Sequence, residues 1–344
     1  MSKTVRLTVD ADGIVRAAEI LRGGGTVAFP TETVYGLGAH ALDAAAVEKI
    51  FVAKERPHWD PLIVHVADVA MAREIAEVSE LAERLAEKFW PGPLTLLLPR
   101  KNMVPDAVTA GRPLVGVRVP RHPVALALLR AAGVPVAAPS ANRFGHTSPT
   151  TAAHVLEDLD GRIDAVLDGG ACDVGVESTV VDVSRLPEFP MMIYRPGTVT
   201  AAMLAEFGAV SVYSAPSSVA EPESLPAPGV GLRHYAPRAR MVLVERGGNE
   251  NLREFWYRFL RVAGEQRGVV GLMLPSRFKE IEANATTLIY RWGEWTDSAA
   301  LAARLFAGLR ELDARGAEVI VCPVPAADGI GDAVRDRLFK AALK

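Results

Sequence analysis

The sequence predicts an α/β protein with two domains, and three observations support this prediction. Short apolar segments of strand length alternate with amphipathic helical segments over most of the chain. The chain has 344 residues, a length that favours two domains over one. A proline-rich stretch, from Ser214 to Pro237, separates two blocks of this alternation. We therefore expect a first domain at 1–212, a linker or lid at 213–239 and a small second domain at 240–344.

The first block contains helices and strands with clear stop signals. One helix is expected to end at Gly23-Gly24-Gly25 and a later one at Trp90-Pro91-Gly92-Pro93, because glycine and proline disfavour helix continuation. The predicted helices cover about 14–21, 44–54 and 81–89. The predicted strands cover about 26–29, 62–66, 94–98, 115–119, 134–138, 165–167, 179–183 and 191–194.

The proline-rich stretch shows no apolar periodicity and is predicted to be a linker or an ordered loop. No helix tolerates its five prolines at their spacing. Beyond it, strands are predicted at about 241–244, 269–274 and 319–322. A helix is predicted around Phe255 and Phe259, another begins at the cap Asp297 and ends near Gly316, and a last one covers about 333–343.

Composition excludes several classes of protein. Two cysteines, Cys172 and Cys322, are too few for a disulfide framework and favour a cytoplasmic location. The N-terminus lacks a secretory apolar region, and the longest apolar runs are too short to span a membrane. The formal net charge of −3 argues against a surface that coats nucleic acid.

Familiar nucleotide and catalytic motifs are mostly missing from the sequence. There is no Walker A lysine, and no Ser/His/Asp order or metal-ligand spacing. The segment from Gly36 to Ala41 fits the loose dinucleotide form G-x-G-x-x-A, but no acidic partner at a second strand end can be assigned to it. We therefore predict no enzyme nucleophile and no protein-bound metal. Gly329-Ile330-Gly331 is interpreted as a turn and helix start.

Polar loops beside the predicted strands are the main functional signal. Each has a structural explanation when taken singly: turn chemistry, a helix cap or an ion-paired arginine. Arg118 lies in an apolar stretch, where an anionic partner is expected. Together the loops place lysine, arginine and hydroxyl groups around one sheet, which suits a nucleotide and a small zwitterion. The six loops are 30–38, 54–62 with His65, 115–121, 138–142 extended to Thr150, 177–182 and 194–197.

The order of these motifs identifies a family. P-T-E-T-V-Y-G-L-G, K-x-R-P-x-x-x-P-L-I-V-H, V-R-V-P, A-P-S-A-N, E-S-T-V-V-D and R-P-G together resemble the YrdC-like threonylcarbamoyl-AMP synthases. The likeness covers about Val5 to Val210. The string from Gly231 to Pro237, followed by a small α/β domain, is similar to the long two-domain form of that family.

The resemblance implies a fold and an activity. The fold is a twisted mixed α/β sheet with an open, basic concave side that holds the site, then the linker and a smaller Rossmann-like domain. The activity is formation of threonylcarbamoyl-AMP and pyrophosphate from L-threonine, bicarbonate or CO₂, and ATP, for threonylcarbamoyladenosine modification of tRNA next to the anticodon. Mg²⁺ is expected with ATP, and no organic cofactor. A downstream threonylcarbamoyl transferase would act on the tRNA, so that this chain would contact RNA weakly or indirectly and would need no membrane.

The resemblance also implies roles for individual residues. The catalytic candidates are Lys54, Arg56 and His65. L-Threonine is assigned to Thr33, His65, Arg118, Ala138 and Ser178. ATP is assigned to Lys54, Arg56, Asp60, Leu114, Ser140, Asn142, Ser148, Arg195, His234 and Tyr235.

Two positions depart from what the family pattern leads us to expect. Asp60 stands where the family often has Asn, and an acid near a triphosphate is unfavourable unless it faces Mg²⁺ or a basic neighbour. Leu114 stands where a small polar residue would be natural, so it can offer a nucleotide only its backbone.

Three alternatives stay open. The linker is hypothesised to fold over the nucleotide as a lid through His234 and Tyr235, whereas a plainer reading has these residues dock the second domain. The chain could instead be a carbamoyltransferase, although two cysteines cannot build the zinc fingers of such proteins. It could also be an RNA-binding module, which the 6% aromatic content disfavours.

Overall fold

The computed structural model describes residues 3–185, 188–214, 225–230, 235–247, 250–278 and 283–343. Its internal contacts form two units. The first contains residues 1–144 and 148–231, and the second contains 145–147 and 232–344. The predicted fold class, α/β with a mixed sheet and a smaller second α/β domain, is confirmed.

The first unit is built on a mixed sheet with the strand order β1-β8-β2-β3-β7-β4-β6-β5-β9-β10-β11 among the described residues. Its strands are β1 Val5–Leu7, β2 Val27–Phe29, β3 Gly36–His40, β4 Ile63–His65, β5 Leu94–Pro99, β6 Leu114–Arg118, β7 Val136–Ala137, β8 Ala165–Leu167, β9 Thr179–Asp182, β10 Met191–Arg195 and β11 Val210–Val212. Its helices are α1 Ala11–Arg22, α2 Ala44–Lys54, α3 Val69–Ile75, α4 Glu80–Phe89, α5 Asp106–Thr109, α6 Pro123–Ala132, α7 Ala152–Leu159 and α8 Ala201–Ala205.

The two faces of this sheet are covered differently. On one face, alternate strand residues such as Val64 and Val117 pack in a large core with α2, α3 and α4. On the other face, α1 and α6 pack only against the part of the sheet that includes β2, β7 and β8. These two helices do not cover the same face of β4, β6, β5 and β9. This part of the face carries polar side chains and packs against residues 225–230 of the proline-rich stretch.

The glycines Gly36 and Gly38 correct one sequence-based prediction. They were expected in a ligand loop or a loose dinucleotide motif, and they lie instead within strand β3. A Cβ at Gly38 would come within 2.8 Å of the Phe29 ring and of Val136 Cγ1. These glycines therefore permit a close approach between strands and an aromatic ring.

The second unit is a four-stranded parallel sheet with the order β12-β15-β13-β14 among the described residues. Its strands are β12 Arg240–Val244, β13 Val270–Pro275, β14 Thr287–Gly293 and β15 Val319–Pro323, and its helices are α9 Leu252–Gly264, α10 Ser298–Ala314 and α11 Gly331–Ala342. Asp297 caps α10 and α11 begins at Gly331, as predicted. Strand β14 was not predicted.

Candidate functional site

The uncovered sheet face brings together residues from four strands. His65 on β4 and Arg118 on β6 are register partners, so their side chains leave the same face side by side. Thr95 on β5 and Ser178, just before β9, are joined across the neighbouring strands by a 2.8 Å hydrogen bond between their hydroxyls. The pleat makes these residues alternate with core residues, which explains why polar and apolar residues alternate in the motifs.

Arg118 is buried, with 3% of its surface exposed, and has three partners. Its Nε donates to the carbonyl of Gly92 at 3.2 Å and its Nη1 to the hydroxyl of Thr33 at 3.0 Å. Its Nη2 lies 2.7 Å from Oε1 of Glu32. The expected anionic partner of Arg118 is therefore supplied by the protein. A guanidinium has five N–H donors, so two remain for a carboxylate ligand after these contacts.

Thr33 is held by the loop that follows β2. Its hydroxyl lies 2.8 Å from the hydroxyl of Thr31, which in turn donates to the carbonyl of Val34 at 2.6 Å. The backbone N–H groups of Thr33 and Val34 donate to the same Thr31 hydroxyl. This side-chain turn fixes the hydroxyl that faces Arg118.

His65 is a neutral imidazole at physiological pH. It is buried, with 3% of its surface exposed, and its ring meets that of Phe29 edge to face at 6.0 Å. Burial, and after it the positive charge of Arg118, lowers the pKa of His65 to about 3. A neutral ring can accept a hydrogen bond from an amine beside Arg118.

Ser178 is held from two sides. Arg195 on β10 donates from Nη2 to the Ser178 hydroxyl at 3.1 Å and from Nε to the Ser178 carbonyl at 3.0 Å. Thr95 contacts the same hydroxyl from the other side. Arg195, predicted for the nucleotide, and Ser178, predicted for threonine, are thus direct neighbours. Sequence reasoning missed Thr95, because nothing in its apolar strand marks it.

Lys54 is buried at the end of α2 and connects this helix to the A-P-S-A-N loop. Its Nζ donates to the carbonyls of Ser140 at 2.6 Å and Asn142 at 2.5 Å. Burial, and after it the charge of Arg56, lowers the pKa of Lys54 well below its usual range. A phosphate placed beside Nζ would favour the charged form again.

Arg56 and Asp60 are a second buried group. Arg56 donates to the carbonyls of Asp60 and Pro61, at 3.1 Å and 2.8 Å, and its Nη2 lies 2.9 Å from Oδ2 of Asp60. The backbone of Gly229 lies close to the Asp60 carboxylate and favours its ionised form, although burial raises the pKa of Asp60 overall. The acid that departs from the family pattern therefore faces a basic neighbour, as the sequence analysis required.

Ser148 contacts a carboxylate that was not predicted as a site residue. Its hydroxyl lies 2.5 Å from Oε1 of Glu177, and both residues are buried. Glu177 directly precedes Ser178, so this contact brings the loop at 148 to the start of β9. Glu177 belongs to the recognised motif E-S-T-V-V-D, but only Ser178 of that motif was predicted to bind a substrate. The remaining predicted residues near these loops are Ala138 and Asn142, both buried, and Ser140 and Leu114, both half-buried.

The end of the proline-rich stretch lies on the same sheet face. The N–H of Leu225 donates to the carbonyl of Trp59 at 2.8 Å. Ala227 and Val230 pack in a buried apolar cluster with residues of three strands, namely Ile63, Leu97 and Val180. Residues 225–230 therefore cover the part of the face next to Asp60.

Tyr235 lies in the second unit. Its backbone has a left-handed φ of 66°, and 4% of its surface is exposed. Its ring stacks on Phe306 with 5.6 Å between ring centres. The guanidinium carbon of Arg337 lies 5.1 Å from the centre of the Tyr235 ring. His234 falls outside the described residues. A role of Tyr235 at the nucleotide stays a prediction, as do the other substrate assignments.

The described residues contain no cluster of three or more His, Cys, Asp or Glu side chains that could hold a metal ion. The buried carboxylates of Asp60 and Glu177 each contact other protein groups. The expectation that Mg²⁺ comes with ATP stays a prediction.

The chain matches two family models. One, described as telomere recombination (Sua5/YciO/YrdC), covers residues 19–197, and the other, described as the threonylcarbamoyl-AMP synthase C-terminal domain, covers residues 199–343. The threonylcarbamoyl-AMP synthase of Pyrococcus abyssi is 40% identical over 340 residues, which are 98% of this chain and 96% of the relative. The chain belongs to the threonylcarbamoyl-AMP synthase family. The resemblance and the enzyme class inferred from the motifs, a nucleotidyltransferase, are thus confirmed.

Other relatives agree with this assignment. The threonylcarbamoyl-AMP synthase of Bacillus subtilis is 39% identical over 345 residues, covering 98% of this chain and 95% of the relative. The crystal structure of P. abyssi Sua5 complexed with L-threonine superposes with a TM-score of 0.87 at 38% identity, covering 99% of this chain and 98% of the other. The structure of the H234A/Y235A variant of P. abyssi Sua5 gives the same TM-score at 36% identity, with 98% and 96% coverage.

In the described parts of the chain, no helix is both long and apolar enough to cross a bilayer.

Proposed function

We propose that the protein makes threonylcarbamoyl-AMP and pyrophosphate from L-threonine, bicarbonate or CO₂, and ATP. The observation that supports this most is the buried guanidinium of Arg118, which keeps two N–H donors beyond its protein partners and lies on the strand next to a neutral His65. The Ser178 hydroxyl, held by Thr95 and Arg195, lies further along the same sheet. A relative of closely similar fold was crystallised with L-threonine. These groups suit the carboxylate, hydroxyl and amine of that amino acid.

The proposed reaction has two steps that balance. The ammonium of threonine and bicarbonate give a carbamate, one water and one proton. A carbamate oxygen then bonds to the α-phosphorus of ATP while the bond to the pyrophosphate oxygen breaks. No enzyme nucleophile is required, so the chain acts by positioning and by neutralising charge. Mg²⁺ would come with ATP and offset part of the phosphate charge.

The proposed nucleotide groups lie next to the threonine groups. Arg195 donates to Ser178, and so it connects the two subsites directly. Lys54 and Arg56 would meet the triphosphate, at the expense of some of their present contacts with backbone carbonyls. Their present contacts hold the loops at 140–142 and 60–61, so that both residues shape the subsite before ATP binds.

Residues 225–230 support the lid hypothesis. They already lie on the sheet face of the site, through Leu225 on Trp59 and Gly229 on Asp60. A cover in this place would keep water from a hydrolysable mixed anhydride. The product would pass to a threonylcarbamoyl transferase that acts on tRNA, in the cytoplasm, with weak or indirect RNA contact by this chain.

Release of pyrophosphate from ATP tests the proposal. It should require L-threonine, bicarbonate and Mg²⁺ together, and labelled bicarbonate should appear in the adenylate. Equal ATP turnover without threonine would contradict the proposal. Label transfer from a carbamoyl donor would favour a carbamoyltransferase, and RNA binding without any turnover would favour a binding module.

A further inference from the structure

Glu32 is a buried acid to which neither the motif analysis nor the proposed reaction assigns a role. Only 1% of its surface is exposed. Its Oε1 lies 2.7 Å from Nη2 of Arg118, and its Oε2 accepts a hydrogen bond from the backbone N–H of Arg121 at 3.1 Å. Its backbone carbonyl accepts from the N–H of Val174 at 2.8 Å. One residue thus joins the loop after β2, the end of β6 and the segment before β9.

The charge state of Glu32 follows from these contacts. Burial by itself would raise the pKa of Glu32, but the charge and the hydrogen bond of Arg118 outweigh it and hold the pKa below its usual range. Glu32 is therefore ionised at neutral pH. Buried ion pairs seldom stabilise a fold better than apolar residues of similar volume, so the stability of the fold does not by itself account for this pair.

We propose that Glu32 is a positioning residue for L-threonine, which sets the plane of the Arg118 guanidinium that receives the substrate carboxylate. This inference rests on the function proposed above. Glu32 and Thr33 each occupy a different terminal nitrogen of Arg118, and Gly92 occupies Nε. With all three nitrogens engaged, the guanidinium cannot turn about its last torsion angles. The two remaining N–H groups then point in fixed directions before threonine arrives.

A competing role for Glu32 would have the opposite effect on threonine binding. Glu32 shares the guanidinium with the incoming carboxylate, so it could act as a competitor. Removal of its charge would then tighten threonine binding. A positioning role and a competing role therefore predict shifts of opposite sign in the dissociation constant of threonine.

Glu32→Gln in the full chain is the main variant, because it keeps the size of the side chain and removes its charge. Calorimetry with L-threonine and, separately, with Mg-ATP measures both affinities. We expect threonine to bind on the order of tenfold more weakly, because the ion pair that holds Arg118 is lost, while ATP affinity stays within about twofold. In steady state, the KM for threonine should rise more than kcat falls. Glu83→Gln, which removes a surface carboxylate paired with Arg73, is the matched control.

Two further variants separate positioning from general damage. Glu32→Asp keeps the charge on a shorter side chain and should restore part of the threonine affinity. In an Arg118→Lys background, Glu32→Gln should cause little further loss, because Glu32 acts through the guanidinium. If Glu32→Gln does not fold by circular dichroism, the comparison of Glu32→Asp with the parent chain replaces it.

The outcomes are distinct. Unchanged or tighter threonine binding in Glu32→Gln, with normal binding by the parent chain, would overturn the positioning role and leave the proposed function intact. Equal losses of threonine and ATP affinity would also overturn it, since they indicate general damage. Failure of the parent chain to bind threonine at all would overturn the proposed function and this inference together.

Discussion

Nη2 of Arg56 and Oδ2 of Asp60 lie 2.9 Å apart, four residues from each other in the sequence and almost wholly shielded from solvent. Neither side chain can lose the other without leaving a charge in a low-dielectric environment. The backbone of Gly229 lies close to the same carboxylate. Asp60 therefore connects an arginine of the predicted triphosphate subsite to the segment that covers the sheet face.

The first prediction concerns this pair. Asp60→Leu should lower the free energy of unfolding by about 3–5 kcal/mol, because it leaves Arg56 buried without its partner. Asp60→Asn should cost clearly less, since the amide oxygen can still accept from Arg56. Urea unfolding of both variants measures the difference. Equal losses in the two variants would show that the charge, and not an acceptor, is what the site needs.

The second prediction concerns pH. The pKa of His65 is about 3 in the folded chain and about 6.5 in an unfolded one, so unfolding takes up a proton between these values. The neutral His65 contributes fully to the free energy of unfolding above pH 6.5. This contribution is lost as the pH falls towards 3, by about 1.4 kcal/mol per pH unit.

Denaturant unfolding at pH 4, 5, 6 and 7 checks this, with His65→Gln as the comparison. In the variant, the free energy of unfolding should depend less steeply on pH across this range, because unfolding takes up about one proton fewer. Parallel pH profiles for the two proteins would mean that His65 is not the titrating group.

The third prediction concerns Arg118. Arg118→Ala should weaken threonine binding by about 1.5–3 kcal/mol and ATP binding much less, because two N–H donors to the carboxylate are lost. Calorimetry with each substrate measures both values. Arg73→Ala, a surface change in the same unit, serves as the control. Normal threonine affinity with lost ATP affinity would show that the two subsites are assigned in reverse.

The fourth prediction concerns the lid hypothesis. The double variant His234→Ala, Tyr235→Ala and a chain that ends near Val210 should both lose adenylate formation while the first domain stays folded. In the double variant, the loss of the Tyr235 ring also removes its stacking on Phe306. Adenylate synthesis at the parent rate in the double variant, with its circular dichroism unchanged, would leave the segment as a spacer that docks the second unit.

Local signals in the sequence were enough to place many of the elements. Helix α2 spans Ala44–Lys54 as predicted, because Asp43 caps its first turn and the chain turns left-handed at Glu55. Helix α6 was missed although Pro123 at its start and the cap His122 mark it. Strand β3 was missed because its glycines carry no strand signal. The close packing of Phe29, Val136 and Ala138 against them explains their presence.

The site was predictable as a set of loops and not as a set of contacts. The motif order selected Arg118, Ser178 and Lys54 from the sequence. It did not select Glu32 and Thr95 as their partners, since each pairing joins residues more than eighty positions apart. Such pairings depend on strand order, which the sequence does not display. Ser148 and Glu177 are only 29 positions apart and lie in recognised motifs, yet their contact was not predicted either.

One face of the large sheet is covered by helices and the other is partly uncovered, so successive residues of its central strands have different roles. Val64 and Val117 point into the core, whereas their neighbours His65 and Arg118 point to the uncovered face. In a mutational scan that scores cellular abundance and adenylate synthesis separately, these strands should therefore give two interleaved phenotypes. Substitution of His65 or Arg118 would lower adenylate synthesis more than abundance, whereas substitution of Val64 or Val117 would lower abundance first.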